Sequence, residues 1–183
     1  MTTVAIVLAA GGSRRLGRAK QLVTFEGETL VHRAARITRA AQVARVGVVV
    51  GARANEVAAA VHDLAVDRLE NAAWEEGMAS SLRVGTAWAA EQGATALLVC
   101  VCDQPHLTTA HLDALIAEGE LAGSAYGGAI GVPALFPARL FAALGALAGD
   151  RGARDLLVAA RALPWAPGAF DIDDEADVAA LKI

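Results

Sequence analysis

The stretch from Val4 to Lys20, VAIVLAAGGSRRLGRAK, constrains the fold most. It opens with Val4, Ile6, Val7 and Leu8, an apolar and largely β-branched run that suits a strand buried on both faces of a parallel sheet. Small residues follow, Ala9-Ala10-Gly11-Gly12-Ser13, and then four cations within seven residues: Arg14, Arg15, Arg18 and Lys20. Small side chains let backbone N–H groups approach a ligand, and Gly11, Gly12 and Gly17 tolerate unusual backbone angles. Strand, glycine turn and cationic loop together read as a polyphosphate cradle at the carboxyl end of a first β-strand. Two familiar phosphate loops fit poorly. A P-loop needs Lys-Ser/Thr directly after its second glycine, whereas Gly17 is followed by Arg18-Ala19, and the Gly11-Gly12…Gly17 spacing breaks the dinucleotide fingerprint. The bland alternative is a glycine-rich turn with solvated arginines.

Downstream, strand and helix patterns alternate. Thr29 suits the N-cap of a helix over Leu30–Ala41, and Val46–Val50 is a second buried strand. Asn55 can cap a helix from Glu56 to Leu64, Val66–Leu69 is a short strand, and Asn71 opens an irregular segment. A helix over Ser81–Glu91 is weakened by Gly85 by up to about 1 kcal/mol relative to alanine. Ala96–Val101 is the most apolar strand, and Thr108 or Thr109 caps a helix to Glu118. Residues 123–136 read as two short strands around Gly131-Val132-Pro133, then a helix over 138–147 and another from Gly149 to Arg161. A short strand near Phe170–Ile172 precedes a last helix capped by Asp173 or Asp174. The pattern predicts an α/β protein: three α/β/α layers on a mainly parallel central sheet, with 1–183 as one domain.

A net charge of −4 rules out a global basic field that would recruit nucleic acid, so anion binding must be local. No apolar run approaches a membrane span, and the first apolar stretch lacks a preceding basic segment, so neither membrane nor signal peptide is expected. Cys100 and Cys102 are too close in sequence for an ordinary disulfide; buried free thiols in a cytoplasmic protein are the reading.

Chemistry gathers at strand ends. Asp103 follows its apolar strand with no turn residue between, and in an open α/β sheet that end faces the crevice of the Gly11–Lys20 cradle. A Mg²⁺ between phosphate oxygens and a carboxylate reconciles a cationic cradle with an anionic neighbour. Helix capping or a turn before Pro105 is the competing role for Asp103. Alternation places Asp171 and Asp173 on one side if their strand extends that far; either could be the second ligand, with Asp173 favoured and N-capping its competitor. His32, His62, His106 and His111 are scattered and form no catalytic constellation. Arg151 and Arg154 stand at an expected helix start, where cations are disfavoured unless an anion binds. Trp74 and Tyr126 could stack on a ring, and Trp74 equally could plug the core.

LAAGGSRRLGRAK, NAAWEEGMASSLRVG, VCDQP, YGGAIGVPALF, GDRGAR and DIDDEADV, in that order, resemble the MobA-like nucleotidyltransferases, and closest is the molybdenum cofactor cytidylyltransferase branch. The departures are Leu16, where the family usually has methionine, and Asp174-Glu175, where it usually has Thr-Pro. The resemblance implies a Rossmann-like nucleotidyltransferase fold and CMP transfer from CTP to the terminal phosphate of molybdopterin, with Mg²⁺ as cofactor and pyrophosphate as product. It implies that Leu8 through Ser13, with Arg15 and Lys20, hold the nucleotide, and that Ala9, Ala10, Asn71, Gly77 and Ser81 frame the base. Lys20, Arg15 and Asp103 become the catalytic set and Asp103 and Asp173 the metal ligands. Gln104, Arg151, Arg154 and Asp171 are the acceptor-binding candidates. The guanylyl branch has Leu-Ala-Gly-Gly where this chain has Leu8-Ala9-Ala10-Gly11, and the methyl of Ala10 narrows that wall toward a pyrimidine. GTP as donor, another phosphorylated small molecule as acceptor, and a nucleotide-binding cofactor chaperone are the alternatives. A molybdoenzyme or its chaperone is the expected protein partner.

Overall fold

The computed structural model describes residues 2–150 and 152–181. Strand β1 (Thr3–Leu8) is buried along its whole length. β2 (Thr24–Phe25) and β3 (Glu28–Thr29) form a small hairpin whose turn residues, Glu26 and Gly27, both take positive φ. α1 (Leu30–Ala40) follows, with the Thr29 hydroxyl accepting from His32 N–H at the N-cap. β4 (Val46–Val50), α2 (Ala54–Ala59), β5 (Asp67–Glu70), α3 (Met78–Glu91) and β6 (Ala96–Val101) complete a first half. The second half runs α4 (Thr109–Ala117), β7 (Ala122–Tyr126), β8 (Ala129–Pro137), α5 (Phe141–Gly145), β9 (Arg161–Pro164) and α6 (Glu175–Ala180).

Seven strands form one sheet in the order β5-β4-β1-β6-β8-β7-β9. The first four are parallel, β8 is antiparallel to both neighbours, and β9 is parallel to β7. Alternation along β1 separates two cores. Ala5, Val7 and Ala9 face α1, α2 and α4, whereas Val4, Ile6, Leu8 and Ala10 face α3 and α5. This is the three-layer arrangement with a mainly parallel sheet. Gly85 sits inside α3 where a Cβ would crowd the Ile6 side chain, so the helix can lie close against β1. A third, smaller cluster of Leu16, Val23, Leu30, Ile172 and Val178 lies beneath the cationic loop and anchors it to the C-terminal segment. Among the described residues no helix is long and apolar enough to cross a membrane.

Several elements differ from the sequence expectations. α2 is short, and Asn55 does not cap it: its side chain accepts from Arg68. α3 begins three residues earlier than Ser81, at Met78. The turn between β7 and β8 falls at Gly127-Gly128, both with positive φ, rather than at Gly131–Pro133. Residues 154–159 form a 3-10 turn instead of an α-helix. The strand expected at 170–172 is extended but unpaired, and the last sheet strand is instead β9, at the edge. Asp174, not Asp173, caps α6, through a reciprocal capping box with Asp177.

Candidate active site

β1 and β6 are neighbours in register, Leu8 beside Val101, so the loops leaving both strands emerge together at their carboxyl ends. A cleft of about 330 Å³ opens there. Leu8, Ala9, Ala10, Gly11 and Gly12 form one wall, with Lys20 and Asp103 close by. Gly77, Met78 and Ser81, at the start of α3, form the facing wall. The indole of Trp74 closes over Gly12, where a Cβ would stand 3.0 Å from the ring; it lines the cleft and packs on the core at once.

The loop is braced from below by Gln21, which is 2% exposed. Its amide donates to the carbonyls of Ala9 (2.9 Å) and Gly11 (2.7 Å), and its Oε1 accepts from the Ser13 hydroxyl. The Ser13 hydroxyl in turn accepts from the Lys20 backbone N–H at 3.0 Å. Ser13 takes a positive φ and Gly17 does too, so the turn doubles back far enough to return Lys20 beneath the glycines.

At the floor, Lys20 Nζ lies 2.5 Å from Asp103 Oδ2 and 3.2 Å from Asp173 Oδ1. Burial alone would lower the Lys20 pKa, but Asp103, by charge and hydrogen bond, and Asp173 reverse that and hold the ammonium well above its ordinary range. Asp173 is delivered by the C-terminal segment. The side chain of Ile172 is wholly buried and its N–H donates to the Asp103 carbonyl at 3.0 Å, while Asp177 accepts the Asp173 N–H. Asp171 sits on the other side of Ile172; burial, then the charges of Asp103 and Asp173, raise its pKa. Arg15 turns away from the cleft and pairs with Asp173 at 2.6 Å, and Arg18 pairs with Glu175. Arg14, exposed, is the loop arginine that lines the cleft.

Asn71 is 3% exposed and sits behind the wall rather than in it. Its amide donates to the hydroxyls of Ser80 (2.8 Å) and Ser81 (2.9 Å) and its Oδ1 accepts from Ala73 N–H. Ser81 is thereby left with its own O–H as a donor toward the cleft. A side chain at Gly77 would be strained: its φ is +105°, and a Cβ would crowd Asp150 Oδ1 and the Gly149 carbonyl. That contact matters because Asp150 accepts from Met78 N–H and Gly149 from Ala79 N–H, so residues 149–150 cap α3 from a distant part of the chain.

A second cleft, of about 440 Å³, adjoins the first, and Met78 and Asp150 line both. Tyr126, Ile130, Val132 and Leu157 give it an apolar wall, and Arg154 provides a cation. Gln104 does not line it. It is buried, and its amide donates to the Tyr126 hydroxyl and the carbonyls of Val132 and Gly168, which fixes the wall from behind. Arg151 lies outside the described residues. None of the four histidines lines either cleft. Cys100 and Cys102 are free and buried, and burial pushes both thiols up to about 12. Sequence reasoning passed over Gln21, Met78 and Asp150. A glutamine leading into the apolar Leu22-Val23 was the one available signal for the first.

The family model of the MobA-like NTP transferase domain matches residues 5–163. The chain belongs to the MobA-like NTP transferase family. Among curated proteins this transferase is 32% identical to nicotine blue oxidoreductase of Paenarthrobacter nicotinovorans, over 93% of this chain and 87% of that one. It is 29% identical to the purine catabolism protein PucB of Bacillus subtilis, over 84% and 80%. Among solved structures it resembles Rv0371c of Mycobacterium tuberculosis, with a TM-score of 0.86 at 30% identity over 99% of this chain and 97% of that one. A structure of Rv0371c in complex with manganese aligns with a TM-score of 0.81 at 27% identity, over 99% and 98%.

Proposed function

We propose that this MobA-like transferase moves CMP from CTP to the terminal phosphate of molybdopterin. The observation that carries the reading is the pair of contiguous clefts: one holds the glycine loop, Lys20 and Asp103, the other is apolar with Arg154, and Met78 and Asp150 stand between them. The nucleotide occupies the first cleft, with its triphosphate against Gly11, Gly12, Arg14 and Lys20. The acceptor occupies the second, its flat apolar body against Tyr126 and Val132 and its anionic end toward Arg154 and the first cleft.

Asp103 and Asp173 fit a hard divalent cation. Both offer carboxylate oxygens, and Lys20 Nζ pairs with both, which supports reading them as one cation-binding spot. Among the described residues no group of three or more His, Cys, Asp or Glu side chains converges on a cation, so phosphate oxygens and water would complete the shell. The manganese in Rv0371c supports a divalent ion, and we assign Mg²⁺. When bound, it supplies charge neutralisation at the phosphates.

The acceptor phosphate is ionised at neutral pH and needs no general base. One of its oxygens forms a bond to the α-phosphorus of CTP as the bond to the β-phosphate bridging oxygen breaks, and that oxygen leaves with pyrophosphate. Lys20 and Arg14 offset the negative charge spread over the equatorial and leaving oxygens, and the Gln21-braced loop holds the triphosphate in line. Ser81, held by Asn71 from behind, positions the base, and the buried methyl of Ala10 favours cytosine over a purine. The chain acts as one cytoplasmic domain over 1–183.

The test is transfer of label from α-labelled CTP or GTP to molybdopterin with Mg²⁺. CMP–molybdopterin and pyrophosphate are the expected products; GMP transfer at equal rate removes the cytosine assignment, and no transfer from either removes the reading. The name of the 32% identical relative favours a second reading, hydride transfer. Nicotinamide-dependent reduction without nucleotidyl transfer in the same preparation would establish it.

A further inference from the structure

We infer that Lys20 occupies, in the free protein, the seat that a divalent cation takes in the complex, so that the cation enters only with a triphosphate that draws the ammonium away. The inference rests on the nucleotidyl-transfer reading and deepens it, by assigning an order of binding to residues of this chain.

The geometry is direct. Lys20 Nζ stands 2.5 Å from Asp103 Oδ2 and 3.2 Å from Asp173 Oδ1. Mg²⁺ binds carboxylate oxygen at about 2.0–2.1 Å. Lys20 Nζ contacts one oxygen of each carboxylate, so an ion ligated by both would compete with the ammonium for those same oxygens. At these ligands one occupant excludes the other.

Charge points the same way. Arg15 pairs with the other oxygen of Asp173, so both carboxylates already have cationic partners. A bare divalent ion entering this set must displace Lys20, whose side chain is only 19% exposed, from both of its ion pairs. A metal–nucleotide complex brings the replacement partner with it, because Lys20 also lines the cleft assigned to the triphosphate. The exchange requires only a side-chain swing. The Lys20 backbone N–H is held by the Ser13 hydroxyl, and the Asp103 and Asp173 segments stay joined through the Ile172 N–H to the Asp103 carbonyl. The carboxylates therefore keep their places when the ammonium leaves.

The experiment is Mn²⁺ titration of the intact protein by electron paramagnetic resonance, with wild type, Lys20→Met and Asp103→Asn, with and without α,β-methylene CTP. Without nucleotide, Lys20→Met is expected to bind Mn²⁺ roughly tenfold or more tightly than wild type, within the usual span of site-to-site coupling. Asp103→Asn is expected to bind weakly in either state. Adding the analogue tightens Mn²⁺ binding by wild type and by much less in Lys20→Met. Equal or weaker Mn²⁺ binding by Lys20→Met without nucleotide overturns the inference. Lys20→Gln, also neutral, repeats the comparison should the methionine variant fail to fold, which circular dichroism reports. Failure of the analogue to bind any variant overturns the nucleotidyl-transfer reading instead, and the nucleotide-free comparison still decides the role of Lys20.

Discussion

Gln21→Met is the sharpest probe of whether the glycine loop is preorganised. Methionine nearly conserves volume, so the cavity term is small and the lost hydrogen bonds dominate. The two acceptors are not equivalent: Ala9 is buried, whereas Gly11 is exposed. The Gly11 carbonyl regains water, so its lost bond costs only about 0.5–1.5 kcal/mol, whereas the Ala9 carbonyl stays dry at roughly 1–3 kcal/mol. The expected loss is therefore about 3 kcal/mol in urea unfolding, dominated by Ala9. For a chain of this size each 1 kcal/mol moves Tm by about 2–4 °C, so Tm should fall by about 6–12 °C. Below that temperature the folded variant should bind CTP more weakly, because the loop no longer has its amide clamp. Gln21→Glu should bind it more weakly still, since a carboxylate beneath the glycines repels both the carbonyls and the triphosphate. A Gln21→Met protein within about 0.5 kcal/mol of wild type and with unchanged KM for CTP would refute the reasoning.

Other variants test separate parts of the site. Lys20→Ala should slow transfer by orders of magnitude while the circular dichroism spectrum stays that of wild type; near-normal turnover would remove Lys20 from the mechanism. Arg14→Ala should raise KM for CTP, most at low ionic strength, without moving Tm, because the side chain is exposed. Ala10→Gly should raise GTP turnover relative to CTP, and an unchanged ratio would place base selection elsewhere. Away from the cleft, hydrogen bonding from Arg36, aided by His32 and opposed by burial, lowers the Glu28 pKa to about 2 from its ordinary 4.5. A depressed carboxyl contributes stability above its unfolded pKa, so the advantage of wild type over Glu28→Gln should be complete from pH 4.5 up to the titration of His32, whose pKa Glu28 helps to raise, and vanish as pH falls through about 2. A difference independent of pH across that window would contradict the assignment.

What the sequence revealed tracks where burial writes a pattern. β1, β4 and β6 are dry on both faces, so each appears as an unbroken apolar run, and Asp103 announces itself by ending one. β9 is mostly exposed, carries Arg161 and Pro164, and pairs only with β7, so nothing in RALP separates it from a loop. The extended Phe170–Ile172 segment has strand-like residues but no partner, because Ile172 spends its N–H on Asp103 rather than on a ladder. At the site, juxtaposition of the Lys20 and Asp103 loops followed from strand ends converging in an open sheet. The choice among Arg14, Arg15 and Arg18 did not follow, since neighbouring cations on one turn differ only in where the turn rotates them. Asp150 was invisible because its contact with Met78 joins segments 72 positions apart.

The mixed sheet itself explains why two clefts adjoin at one strand end. In a wholly parallel sheet every strand would stop at the same rim. Here β8 runs the other way: its pairing with β6 reaches only to Ala134, opposite Val99, while β8 begins at Ala129. Residues Ala129–Pro133 therefore overrun the end of that ladder and form a wall that runs alongside the last residues of β6 and past them. Ile130 and Val132 line the second cleft from that overhang, and Gln104, one residue past Asp103, donates to Val132 and holds the wall upright. The dipeptide Asp103-Gln104 thus ties both clefts to one strand end, the carboxylate lining the first and the amide bracing the wall of the second. Gln104→Leu should accordingly raise KM for the acceptor while leaving nucleotide binding near wild type. Equal losses for both substrates would show that the two clefts are not braced separately.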